Sequence, residues 1–279
     1  MRAEVMTLGT PNPRQREFLA CEKKYVAFGG ARGGGKSWAV RCKAKLLALR
    51  YAGIRILLVR RSLAELEANH LAFLRQELAD VAEYRAGERQ FRFCNGSVLQ
   101  FGYCGCDRDL DRYQGAEYDV IFLDEATQLK EQWMRQIAAC VRGVNDFPKR
   151  IYYTCNPGGP GHGYIKRLFI DRRFEDGEQP EDYAFIPARV TDNAALLARQ
   201  PDYLKTLEAL PYKLRRAWLE GRWDVFAGQV FQEFTDDPDH YDDRRWTHVI
   251  RPFDVPREWN IYRSYDFGYA RPFSCGWWA

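Results

Sequence analysis

The chain has 279 residues, 46% apolar and 15% aromatic, enough to bury a sizeable core and too apolar for disorder. Its 42 basic and 38 acidic residues leave a net charge of +4, which excludes a histone-like tail and neither demands nor forbids nucleic acid. Eight scattered cysteines with no CxxC pair, no apolar signal core and no apolar run of about 18 residues exclude disulfide-scaffold, secreted and membrane-spanning classes, and predict a soluble protein of a reducing compartment.

Strand-like and helix-like segments alternate through the first 170 residues, which predicts an α/β fold with a mostly parallel sheet. Gln15 stands in PNPRQREFL, ahead of the first strand. Its amide is suited to reading an adenine edge bidentately, or it is a solvent-facing helix residue. Residues 24–29 (KYVAFG) read as a strand, followed by a glycine-rich turn and a helix from Lys36 to about Ala52 ended by Gly53.

That turn carries the sharpest signal. GGARGGGKS contains Gly30, four intervening residues, then Gly35-Lys36-Ser37, between a strand and a helix. Glycines at Gly30, Gly33, Gly34 and Gly35 let backbone N–H groups turn inward around phosphate oxygens, and the helix directs its positive end at the same anion. Lys36 then reaches the β- and γ-phosphates and Ser37 offers an oxygen to Mg²⁺. Arg32, inside the loop, either stabilises γ-phosphate charge in cis or braces the loop against an acid.

Residues 54–60 read as a buried strand, Ser62 and Glu65 as a capping box opening a helix over 63–79, and Asn95-Gly96 as a hairpin turn between QFRFC and SVLQFGY. DVIFLDE (119–125) is a second buried strand, with a helix expected over 126–142. Its tip presents Asp124, suited to hold Mg²⁺ through water, and Glu125, suited as general base for an attacking water. Adjacent strand residues point to opposite faces, so the two acids can take separate jobs. RIYYTCN (150–156) is the next strand. Thr154 and Asn156 at its end either sense a γ-phosphate or, for Asn156, cap the turn before Pro157.

Arg60, Arg61, Arg112 and Arg142 are rival arginine fingers, in cis or from a neighbouring subunit. Between Lys23 and Arg61 stand 11 basic residues and no acid. They read as a helix with one solvated basic face or as a phosphate-facing surface for DNA. His70, His162, His240 and His248 form no HxH or HExxH pattern and read as structural, with His162 set apart by its glycine loop. After residue 170 order weakens. A charged loop over 171–182, short helices near 202–209 and 211–220, an acidic linker and a final strand pair are expected.

At these residues the chain resembles the large terminase subunit of tailed bacteriophages, a DNA-packaging motor. PNPRQREFL, GGARGGGKS, QGAEYDVIFLDEA and TCNP stand in that family's order. LEGRWDVFAGQVFQEF is similar to its passage toward a second domain, and SYDFGYARP to the opening strand of its RNase H-like nuclease. The resemblance spans about residues 12–278.

It implies a three-layer P-loop NTPase of the RecA-like, additional-strand, catalytic-Glu class over residues 1–235, with a lid or linker from about 171. An acidic linker at 236–258 and the first nuclease hairpin at 259–279 would follow. ATP and Mg²⁺ are the implied cofactors, with Gln15 at the adenine, Glu125 activating water and Thr154–Asn156 as the coupling motif. Asp266 would be the first nuclease metal ligand. No further nuclease acids follow it, so nuclease activity is not expected of this chain. Double-stranded DNA, a portal protein, a procapsid and a small terminase subunit are the implied partners, in a ring of copies that in isolation could be monomeric, in the host cytoplasm. The alternative is another P-loop nucleic-acid translocase or a helicase-like ATPase, although no second phosphate loop occurs.

Overall fold

The computed structural model describes residues 9–225, 240–243, 247–266 and 274–279. The chain divides into Met1–Ala227 and Gly228–Ala279, ahead of the boundary expected at 235. In the first unit, β1 (Tyr25–Gly30), β2 (Arg55–Arg60), β3 (Ala82–Arg85), β4 (Gln90–Phe93), β5 (Val98–Tyr103), β6 (Val120–Leu123), β7 (Arg150–Cys155) and β8 (Tyr183–Ala188) form one sheet. Its order is β3-β4-β5-β2-β6-β7-β1-β8. The six strands from β5 to β8 along that order pair in parallel; β3 and β4 extend one edge in antiparallel fashion. β7 therefore separates the phosphate-loop strand β1 from the acid-bearing strand β6, as the additional-strand class requires.

Alternation along the strands builds a core on each face. Val26, Phe28, Ile56, Leu58, Phe122 and Tyr152 face one layer of helices: α1 (Pro13–Ala20), α2 (Lys36–Arg50) and α3. Helix α3 runs Leu63–Leu66, widens into a π turn over Glu67–Leu71 and resumes over Ala72–Glu77. Ala27, Leu57, Val59, Ile121, Leu123 and Tyr153 face the opposite layer, with α4 (Glu131–Ala138) and α5 (His162–Ile165). Each fully buried large side chain contributes about 1.5–3 kcal/mol, and Phe122 stacks on Tyr152 with ring centroids 4.9 Å apart. The expected three layers are present.

Several expectations are corrected. The helix over 126–142 is instead a 3₁₀ turn, Ala126–Gln128, and the shorter α4. The Thr127 carbonyl accepts from the Gly161 amide at 2.9 Å, which takes it out of a helical ladder. Among the described residues regular structure continues past 170: β8 adds an edge strand beside β1, where Pro187 is tolerated. Most of the basic run's cations on α2 are not on a solvated face, while Lys23, Lys24, Arg50 and Arg55 are exposed. Lys36, Arg41, Lys43 and Lys45 are all buried, and Lys45 and Arg41 meet Glu77 of α3 at 2.5 and 3.6 Å. The small helices α6 (Ala194–Arg199), α7 (Tyr203–Glu208) and α8 (Tyr212–Trp218) follow β8.

In the second unit, β9 (Tyr262–Asp266) pairs antiparallel with β10 (Ser274–Trp278), as the expected strand pair requires. The connecting residues, the FAGQVFQEF segment, part of the acidic linker and the Asp266 side chain lie outside the described residues. Among the described residues no helix is long and apolar enough to cross a membrane.

Candidate phosphate and acid site

The sheet register assembles the site. Leu123 pairs with Tyr153 and with Val59, so the next residues, Asp124, Thr154 and Arg60, emerge level with one another. Gly29 pairs with Cys155, so Gly30 and Asn156 do too. Four parallel strand ends thus meet at one edge, where open α/β sheets bind ligands, three of them with side chains and β1 with the glycine that opens the loop.

The loop from Gly30 to Ser37 joins β1 to α2. Gly33 and Gly35 hold φ of 77° and 76°, a region that penalises any Cβ, and a Cβ at Gly33 would lie 2.8 Å from the Tyr203 ring. Gly34 is buried at the base of the loop, and its Cβ would lie 3.0 Å from that of Ala188. Lys36 is buried with its ammonium 2.6 Å from the Ala31 carbonyl and 2.7 Å from Asn156 Oδ1. Burial lowers its pKa, and Glu125 and Asp124 counter that effect. Ser37 is half-buried on the cavity wall.

Asp124 is 1% exposed. Thr154 Oγ1 donates to its Oδ1, while His70 Nε2 at 2.7 Å and Arg60 Nε at 2.9 Å face its Oδ2. Burial pushes its pKa up, but His70, Arg60 and Thr154 outweigh that and hold the carboxyl well below the usual carboxylate range.

Glu125 does not continue the strand. It adopts φ 55°, a left-handed conformation unusual for a side chain with a Cβ. This turn, rather than strand alternation, separates the two acids. The Glu125 amide donates to Thr154 Oγ1 at 2.9 Å, and its two carboxylate oxygens accept from Asn156 Nδ2 at 3.1 and 2.9 Å. Asn156 therefore links Lys36 to Glu125 with one side chain, in addition to preceding the turn at Pro157. Thr127 Oγ1 donates to the Asn156 carbonyl and fixes its backbone.

Arg60 is the one rival arginine set between the acids, with Glu125 at 3.7 Å. Arg61 is exposed and pairs with Glu65, Arg112 covers the Tyr103 ring, and Arg142 pairs with Glu117. Arg32 lines the cavity; its guanidinium lies 3.4 Å from the Trp218 ring centroid, so its brace is an indole rather than an acid.

Gln15 is buried, not solvent-facing. Its Oε1 accepts from the Asn12 amide at 2.9 Å, completing a capping box, and its Nε2 donates to the Gly35 carbonyl at 3.0 Å. The amide tethers the phosphate loop to α1. His162 stacks on Trp223 and accepts from the Gly158 amide, a packing role.

The cavity above the loop measures about 940 Å³. Arg32, Lys36, Arg41, Arg60 and Arg61 line it against two carboxylates, Glu65 and Glu125. This excess of cations suits a polyphosphate. Among the described residues no cluster of three or more His, Cys, Asp or Glu could hold a metal by itself. With Ser37 on the wall and Asp124 ionised behind it, the donor set fits Mg²⁺ arriving with phosphates, an ion that keeps most of its waters.

His70 is the residue that sequence reasoning missed. The available signal was spacing: Leu66, His70, Leu74 and Leu78 recur every four residues on one helix face, and all four are buried.

A family profile described as the N-terminal region of the T4likevirus-type terminase large subunit matches residues 27–235. Among solved structures the fold is similar to the large terminase of a thermophilic bacteriophage in complex with ADP. The TM-score is 0.62 at 17% identity, over 96% of this chain and 64% of that one. The same terminase in complex with ATP-γ-S gives 0.62 at 18%, with the same coverage. The large terminase ATPase domain of Thermus phage P74-26 gives 0.55 at 14%, over 77% of this chain and 94% of that one. No curated protein sequence matches. The chain thus spans 64% of the length of the two nucleotide-bound terminase structures, and at these identities the likeness is one of fold: a P-loop NTPase.

Proposed function

The chain belongs to the T4-like terminase large-subunit family, and on that premise we propose that its first unit is an ATP-hydrolysing motor that moves double-stranded DNA into a procapsid. The observation that carries this reading is the Asn156 bridge, which ties a phosphate-loop lysine to a carboxylate held off its strand. A phosphate-binding protein without turnover needs no such acid. A structure of similar fold is solved with ADP and with ATP-γ-S, which supports a nucleotide as the occupant.

In this reading the loop amides and Lys36 hold the β- and γ-phosphates. Glu125 accepts a proton from the attacking water at a carboxylate oxygen that Asn156 orients. Arg60 and Arg32 offer charge to the transferred phosphoryl group. Mg²⁺ would be held by Ser37 and, across water, by Asp124, where it would neutralise charge on the phosphates. When Lys36 turns to a phosphate, Asn156 loses one of its two partners, so β7 carries the nucleotide state into the sheet.

The segment from about 171 to 235 would be the lid or linker; within it Asn193 donates to the Gly33 carbonyl at 2.7 Å and the Trp218 carbonyl accepts from the Arg32 amide at 2.8 Å. β9 and β10 would open the nuclease domain, with Asp266 as its first metal ligand. A portal, a small subunit and a ring of copies are the partners, in the host cytoplasm.

The test is ATP turnover with and without duplex DNA, alongside procapsid packaging, with Lys36→Ala as the control. DNA-stimulated turnover that Lys36→Ala abolishes is expected. Turnover that survives Lys36→Ala would sink the phosphate-loop assignment, and turnover indifferent to DNA would sink the motor.

A further inference from the structure

His70 is fully buried on α3, and its Nε2 lies 2.7 Å from Asp124 Oδ2. Its Nδ1 is buried without a hydrogen-bond partner. This pattern suits Nε2–H donating to the carboxylate, since a proton on Nδ1 finds no acceptor there. A residue placed only for packing would be apolar here and would bury no unpaired nitrogen.

The backbone is shaped to deliver this ring. Leu66, His70 and Leu74 stand four apart and are fully buried on one face, and the π turn over Glu67–Leu71 lets Leu71 share it. Arg41 of α2 donates to the Asn69 carbonyl within that turn at 2.7 Å, and Asn69 Nδ2 donates to the Glu65 carbonyl at 2.7 Å. The helix that begins at Lys36 thereby braces the turn that holds His70.

The two partners of Asp124 Oδ2 differ in freedom. Arg60 lines the cavity, reaches toward Glu125 and carries a long guanidinium arm that an incoming polyphosphate attracts. His70 has a short side chain sealed in the core. We infer that His70 is the standing positioning residue for Asp124, holding the carboxylate in place when Arg60 turns to the phosphates. This rests on the nucleotide-site reading above.

The test compares His70→Gln with His70→Asn in the full chain, by calorimetric binding of ATP-γ-S with Mg²⁺ and with EDTA. A glutamine amide reaches the position of Nε2, whereas an asparagine amide stops at that of Nδ1. In His70→Asn the affinity gained by adding Mg²⁺ should fall about tenfold, as for other residues that orient a metal ligand, while EDTA affinity stays at the wild-type value. His70→Gln should recover most of that gain. An Mg²⁺ gain in His70→Asn equal to wild type would overturn the inference, as would equal losses in both variants. A fall in EDTA affinity would also overturn it, because the ring would then serve the packing of the whole cavity. Wild-type protein that binds no ATP-γ-S in either buffer would instead bring down the nucleotide-site reading itself.

Discussion

The amide nitrogen of Asn156 lies 2.9 and 3.1 Å from the two carboxylate oxygens of Glu125, so the acid is gripped at both ends of its carboxylate. The same amide accepts from Lys36 through its oxygen. Asn156→Ala removes the grip and leaves the fold's apolar core untouched. Asn156→Asp adds a carboxylate facing Glu125 while still pairing with Lys36. Both should lower ATP turnover by roughly 10–100-fold through misplacement of the base, with nucleotide affinity much less affected. Steady-state turnover and equilibrium binding on the same preparations separate the two quantities. Wild-type turnover in Asn156→Ala would rule out the bridge as a catalytic element.

Glu125→Gln keeps an oxygen that can accept from Asn156 Nδ2, so the left-handed turn and the pocket should survive. What it loses is the base. Nucleotide should still bind, with hydrolysis slowed by about 10²–10⁴-fold. Single-turnover hydrolysis with pre-bound ATP isolates that step. An unchanged rate would move the base elsewhere, and Glu65 is the other carboxylate on the cavity wall.

The parts of this site that were legible in the sequence are those whose chemistry is local. The phosphate loop needs glycines and a lysine in adjacent positions, and DVIFLDE and RIYYTCN announce their strands by unbroken apolar runs. Register then does the rest, since parallel neighbours must deliver their next residues to one edge. Buried charge was not legible. A run such as RCKAKL reads as a wet helix face until Glu77, 32 residues beyond Lys45, supplies the counter-charge. His70 escaped for a similar reason: its spacing from Leu66 and Leu74 marks a buried face, but its partner is 54 residues away. Glu125's conformation is also set by context, because Thr154 accepts from its backbone amide.

That buried cluster gives a stability prediction. Lys45 and Arg41 are almost fully buried and share Glu77, which keeps some contact with water. Glu77→Gln strands two cations in the core without a counter-charge. The loss should be roughly 2–4 kcal/mol in urea unfolding, toward the lower end for breaking a buried pair because Glu77 is partly solvated. A loss below about 0.5 kcal/mol, the usual range for a surface substitution, would mean that water reaches these cations.

Lys43 gives a pH dependence of definite sign. Its ammonium donates to the Leu19 carbonyl at 2.5 Å and lies over the Tyr152 ring, and burial, aided by Arg150, lowers its pKa from 10.5 to about 8. Below about pH 8 both folded and unfolded chains hold this proton, and its contribution is flat. Between about 8 and 10.5 the unfolded chain holds it while the folded chain has released it, so stability from this group rises with pH. Cys42 works the other way: burial raises its thiol from 9.0 to about 11, so the unfolded chain loses that proton first and stability falls over that interval. The comparison must therefore be made against Lys43→Met, in which Cys42 is retained. The difference in unfolding free energy between wild type and Lys43→Met should shift toward wild type by about 1–3 kcal/mol across the window. Urea titrations of both proteins at its two ends measure this. A difference that stays constant with pH would show that Lys43 keeps its charge in the folded core.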